Sequence, residues 1–158
     1  KLRFCMDSLK VIATRTLNTG LCLDILTNDD IFKSISEDGA DYNSLKVDVI
    51  VDTWLAISTV GGVIGCLQLK QKYNMCYEAH IHILPEFRKE HSILSGKAII
   101  KWVYENLPGC VLYVETPSSC VNVLNFLAIF DFEIVGTLSG AFKKNNKQND
   151  IVILSRGF

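Results

Sequence analysis

The chain has 158 residues, of which 49% are hydrophobic and 21% charged, with a net charge of −1. That length is one domain's worth, expected over 1–158, and it can bury a core without disulfide or metal staples. The near-neutral balance leaves no general electrostatic footprint for nucleic acid or membrane, and no apolar run approaches the ~20 residues of a membrane span.

Leu9 to Thr16 predicts a first strand, rich in β-branched residues. Asn18 or Thr19 opens a helical region reaching Ser36, which Asn28-Asp29-Asp30 divides in two. Glu37 to Ser44 reads as a polar loop and Val47 to Ser58 as a strand. Gly61-Gly62 signals a hairpin, with the returning strand over Val63 to Gln71. A turn over Lys70 to Asn74 leads into a third strand, Cys76 to Leu84, so these three form an antiparallel meander.

Ser92 to Asn106 has helical spacing, with Ser92 or Ser95 as its cap and Pro108-Gly109 as its stop. Cys110 to Thr116 reads as a buried strand. Pro117-Ser118-Ser119 opens a serine-capped helix over Val121 to Phe130. Phe132 to Phe142 predicts a strand broken at Gly136 and Gly140, Lys143 to Asn149 a solvated hairpin loop, and Asp150 to Arg156 the closing strand. The order β-α(α)-β-β-β-α-β-α-β-β specifies an α/β (α+β) fold. Its mixed sheet has about seven strands, an antiparallel front half and helices on both faces.

Six cysteines stand at positions 5, 22, 66, 76, 110 and 120, with no C-x-x-C pair and no histidine cluster beside them. They read as reduced cysteines of a cytoplasmic protein, with no metal site. No secretory signal is visible, and the start at Lys1 reads as a trimmed terminus.

Glu78, His80 and His82 alternate along one strand and so share a face. A carboxylate and two imidazoles on a central strand can take a proton from an amine, or they can be structural histidines under a helix. A bulge in that strand would change which face they occupy. After it come Pro85, Arg88 and a predicted helix, an order that can set unpaired N–H groups against an anion. No glycine follows Arg88 until Gly96, so the loop there lacks the bare backbone that a phosphate prefers.

This element order, with Ile83-Leu84-Pro85-Glu86-Phe87-Arg88 at its centre and Phe126-Leu127-Ala128-Ile129-Phe130-Asp131-Phe132 near its end, resembles the GNAT superfamily of N-acetyltransferases. The resemblance spans nearly the whole chain. It implies that acetyl-CoA lies between the fourth and fifth strands, with its pyrophosphate on a glycine-bearing turn over Arg88 to Ile93. Arg88, Lys89, His91, Ile93 and Asn122 would then lie along the cofactor, and a strand N–H near Ile83 would polarise the thioester carbonyl. Glu78, His80 and His82 would supply the base. The family's two glycines fall on His91 and Ile93, its general-acid tyrosine on Leu127, and its asparagine on Cys120, with Asn122 and Asn125 close by. Aspartate replaces the family glycine at Asp131, a residue able to visit the left-handed region. The E-A-H-I-H-I-L-P-E-F-R run is most similar to small GNAT-like proteins of tailed bacteriophages. That likeness implies host cytoplasm or virion as location. It implies either acetyl transfer or a virion and head-assembly role with a protein partner.

Overall fold

The computed structural model describes residues 10–158. Cys5, and Leu9 of the expected first strand, lie outside them. A seven-stranded sheet runs in the order β1-β2-β3-β4-β5-β7-β6. Its strands are β1 (Ile12–Arg15), β2 (Thr53–Thr59), β3 (Gly62–Tyr73), β4 (Cys76–Ile83), β5 (Val111–Pro117), β6 (Glu133–Lys144) and β7 (Lys147–Gly157). Every neighbouring pair is antiparallel except β4 and β5. The helices are α1 (Thr19–Leu26), α2 (Asp29–Ile35), α3 (Pro85–Asn106) and α4 (Val121–Ile129).

The divided helix forms as the sequence predicts. Asn18 caps α1 by accepting the Leu21 N–H, and Asn28 caps α2 by accepting those of Asp30 and Ile31. Each cap satisfies donors that a helix start leaves unpaired. These helices cover one sheet face, where Cys22, Ile25, Leu26 and Ile31 pack on Trp54 and Cys66. On the opposite face Ile99 and Val103 of α3 pack on Leu55, Ile57, Leu67 and Leu69.

The strand expected over Val47 to Ser58 begins only at Thr53. Asp48 is the reason: its carboxylate accepts the N–H groups of Ile50 and Val51, and this local turn competes with the strand ladder. Val47 and Val49 still reach the apolar cluster beneath α1.

The serine caps of α4 do not form. Cys120 occupies the N-cap position without a side-chain bond. Its other end does what the sequence anticipates: Asp131 takes φ 58°, the Phe132 N–H reaches Leu127 O, and the Asp131 N–H reaches Ala128 O. That pair of bonds is a Schellman stop with aspartate at the left-handed position. Gly136 and Gly140 sit at irregularities in β6, also as expected.

The basic hairpin tip is exposed as expected, but the strands run further into it than the loop read over Lys143 to Asn149 allows. It is a two-residue turn, with Asn145 at φ 52° and Asn146 at φ 58°. Asp38 accepts both of their N–H groups, and Lys144 Nζ donates to Lys33 O and Ser36 O at 2.6 Å each. The hairpin is thereby fastened to the end of α2. No helix among the described residues is long and apolar enough to cross a membrane.

Candidate functional site

β4 and β5 pair at only three positions, the last being Glu78 with Tyr113. Beyond that point they part. The Leu84 N–H donates to Ile64 O on β3. Backbone groups alternate sides along a strand, so those of Ile81 and Ile83 face away from β3 and into the gap. Side chains from α3, α4 and the sheet line this gap, which is apolar and encloses about 50 Å³. Ala79, Ile81 and Leu112 form its sheet wall, and Phe126 of α4 lines it together with Phe130 and Phe132 just past the end of that helix.

The other face of β4 is polar. Its register against β3 is unbroken from Tyr77 to Ile83, so no bulge intervenes and the parity is plain. Glu78, His80 and His82 stand opposite Lys70, Gln68 and Cys66 on the face covered by α1 and α2. A cavity of about 390 Å³ opens there between the sheet, α2 and the segment 36–46. His80, His82, Gln68 and Lys70 form its floor.

Glu78 is buried, which would raise its pKa. The hydrogen bond from Lys72, with the charges of His80 and the lysines, outweighs burial and holds it below the usual range. His80 Nε2 lies 2.9 Å from Glu78 Oε1, although the two are not aligned for a hydrogen bond. Burial lowers the His80 pKa against the pull of Glu78. At neutral pH the pair is therefore a carboxylate beside a neutral ring. His82 is pushed down to about 3 by burial and by the His80 and Arg88 charges, so it stays neutral throughout the ordinary range.

The anion-binding junction differs from expectation. With no glycine after Arg88, nothing interrupts helical geometry, and α3 starts at Pro85 rather than Ser92. Arg88, Lys89, His91 and Ile93 are helical, not loop residues, and Ser95 is a fully buried interior residue rather than a cap. The donors at this helix start are largely spent: Pro85 has no N–H, that of Leu84 goes to Ile64 O, and that of Phe87 goes to Leu84 O. Arg88 Nε donates to Ile83 O at 2.9 Å, tying the helix to the strand end. His91 packs edge-on against Phe87. Asn122 is exposed on α4, and Leu127 is buried in the apolar cluster with Val152 and Leu154.

Cys22, Cys66 and Cys110 are buried, and every cysteine among the described residues is free. Burial pushes the Cys22 and Cys66 thiols up, away from the reactive thiolate. Sequence reasoning missed Gln68, Lys70 and Lys46 as site residues. The first two show themselves only through strand register, and the third lies on a segment brought in by the turn at Asp48.

No family model and no curated protein matches this chain. Solved structures do. A spermidine N-acetyltransferase from Vibrio cholerae, in complex with CoA and spermine, aligns with a TM-score of 0.77 at 12% identity over 94% of this chain and 95% of that one. A ribosomal-protein-alanine N-acetyltransferase from Brucella melitensis gives 0.68 at 14% identity over 93% and 99%. A GNAT-family acetyltransferase from Streptococcus pneumoniae gives 0.71 at 9% identity over 94% and 99%. With the parted β4 and β5 and the helices on both faces, these likenesses show that the chain has the GNAT acetyltransferase fold.

Proposed function

We propose that this protein is an N-acyltransferase that moves an acyl group from an acyl-CoA, acetyl-CoA being the expected donor, to an amine held in the polar cavity. One observation carries this reading: β4 turns the backbone N–H groups of Ile81 and Ile83 to the gap on one side, and His80, with Glu78 beside it, to the cavity on the other. A carbonyl placed in the gap and an amine placed in the cavity would meet across the same strand.

The residues fit the thioester end of such a donor better than its pyrophosphate. A bound acyl-CoA would supply an activated carbonyl. The Ile81 and Ile83 N–H groups are the donors available to polarise it. Neutral His80 is the proton acceptor of choice, because the Glu78 carboxylate beside it stabilises the imidazolium it would become. His82, held near pKa 3, is too weak a base and serves as cavity wall. At the nucleotide end, Arg88 and Lys89 supply charge without a glycine cradle. Leu127 supplies no proton, so the departing thiolate would take one from water.

A second reading keeps the fold as a non-catalytic scaffold, such as a phage virion or head-assembly component. The spent donors at the α3 start and the apolar Leu127 favour it. Thermal stability with and without acetyl-CoA separates the two. Donor at a hundredfold its dissociation constant adds about 2.7 kcal/mol, or several degrees in a domain of this size. Stabilisation followed by acetyl transfer to an amine supports the enzyme, and no shift at millimolar acetyl-CoA rejects it.

A further inference from the structure

We infer that the cavity beneath α2 takes a small carboxylate-bearing amine with an apolar group, the chemistry of an apolar amino acid, and rejects polyamines. The inference builds on the acyltransferase reading by naming the class of acceptor.

Charge comes first. Lys46 and Lys70 line the cavity, and among the described residues no Asp or Glu does. Two carboxylates in contact with its floor are already engaged: Glu78 pairs with Lys72 at 2.8 Å and touches His80, and Asp52 accepts the Gln68 amide at 2.6 Å. His80 and His82, both with lowered pKa values, add no positive charge near neutral pH. The lining is thus cationic, and it would repel a polycation such as spermine while attracting a carboxylate.

Hydrogen bonding comes second. A carboxylate can only accept, so Gln68 must turn its NH₂ to Asp52. Among the described residues its carbonyl oxygen has no partner, and on a side chain lining the cavity floor it is available to accept from an ammonium or amine. His80 stands one strand away, in register with Gln68, so the same amine would lie beside the proposed base. Phe32, Leu26 and Leu45 make the opposite wall apolar, which suits a hydrocarbon side chain.

The test is an NMR titration of the protein without any acyl donor, using L-phenylalanine, 4-phenylbutylamine and spermidine as probes. Phenylalanine is expected to bind and to shift the Gln68 side-chain amide, with both amine-only probes markedly weaker. Lys70→Gln and Lys46→Gln are each expected to weaken phenylalanine about tenfold and to leave the spectrum otherwise folded. Tighter binding of spermidine than phenylalanine overturns the inference. So does failure of phenylalanine to bind at millimolar concentration, or unchanged affinity in both lysine variants. Because no acyl-CoA is present, these outcomes are independent of whether acetyl-CoA binds.

Discussion

Phe130 lies against Gly96 so closely that a β-carbon on the glycine would overlap its ring. α3 and α4 approach each other through this contact, beside the gap between β4 and β5. The ring also packs against that of Phe126, with centroids 5.0 Å apart, which limits its freedom to withdraw. Gly96→Ala sets two effects against each other. Helix propensity gains about 1 kcal/mol, whereas overpacking costs about 1–3 kcal/mol. Overlap with a braced aromatic ring makes the second larger, so urea denaturation should show a net loss. In a Phe130→Ala background the clash is gone, and the same substitution should become stabilising.

Stability should fall as pH drops below neutral, with His82 as a principal cause. Its folded pKa of about 3 lies below the ordinary histidine value of 6.5. The unfolded chain therefore binds more protons in that window, and the stability contribution is complete above 6.5 and lost progressively toward 3. The lowered Glu78 pKa acts in the same direction at the acid end. Urea midpoints measured across this range should decline in the wild type, and His82→Gln should flatten the decline between 6.5 and 4.5.

His80→Gln should lower the rate of acetyl transfer by about 10²–10⁴-fold, the usual worth of a general base. The stabilisation by acetyl-CoA should be unchanged, because His80 faces the cavity and not the gap. Equal transfer rates in the two proteins would remove His80 from the mechanism.

Lys144 joins the far hairpin to α2, placing a cation on carbonyls at the helix end. Lys144→Met keeps the stem and removes the charge. The expected cost is about 0.3–1 kcal/mol, seen with faster amide exchange over 36–44 and at the hairpin turn. Protection that stays the same would show that Glu37 and Asp38, which accept the Lys143, Asn145 and Asn146 N–H groups, hold the hairpin without it.

Ile93→Gly should not create a phosphate cradle, although glycine occupies the matching position in the family. Here the residue is inside a continuous helix, partly exposed. The substitution should cost about 1 kcal/mol and leave any acetyl-CoA stabilisation no larger than in the parent protein.

Strand alternation was readable at His80 and His82 because β-structure has a period of two, and Asn18, Asn28 and Asp131 declared helix ends through local side-chain and backbone chemistry. The helix start at Pro85 was harder. Serines at 92 and 95 look like caps, yet Ser92 instead bonds back to Arg88 O within the helix and Ser95 is buried. The same lack of glycine that argued against a cradle was also what let the helix extend. Asp48 hid inside an apolar run, and one carboxylate was enough to end the strand pattern.

By itself, the sequence determined the element order, the mixed sheet, the break between α1 and α2, the Asp131 stop and the shared face of Glu78, His80 and His82. Those follow from interactions within a few residues. Only the tertiary structure decided that this face meets a cavity beneath α2, that Gln68 and Lys70 join it, and that Arg88 is tied to Ile83 rather than free. Each depends on strands and helices distant in the chain being brought together, where register, burial and competing partners choose among contacts that local chemistry leaves equal.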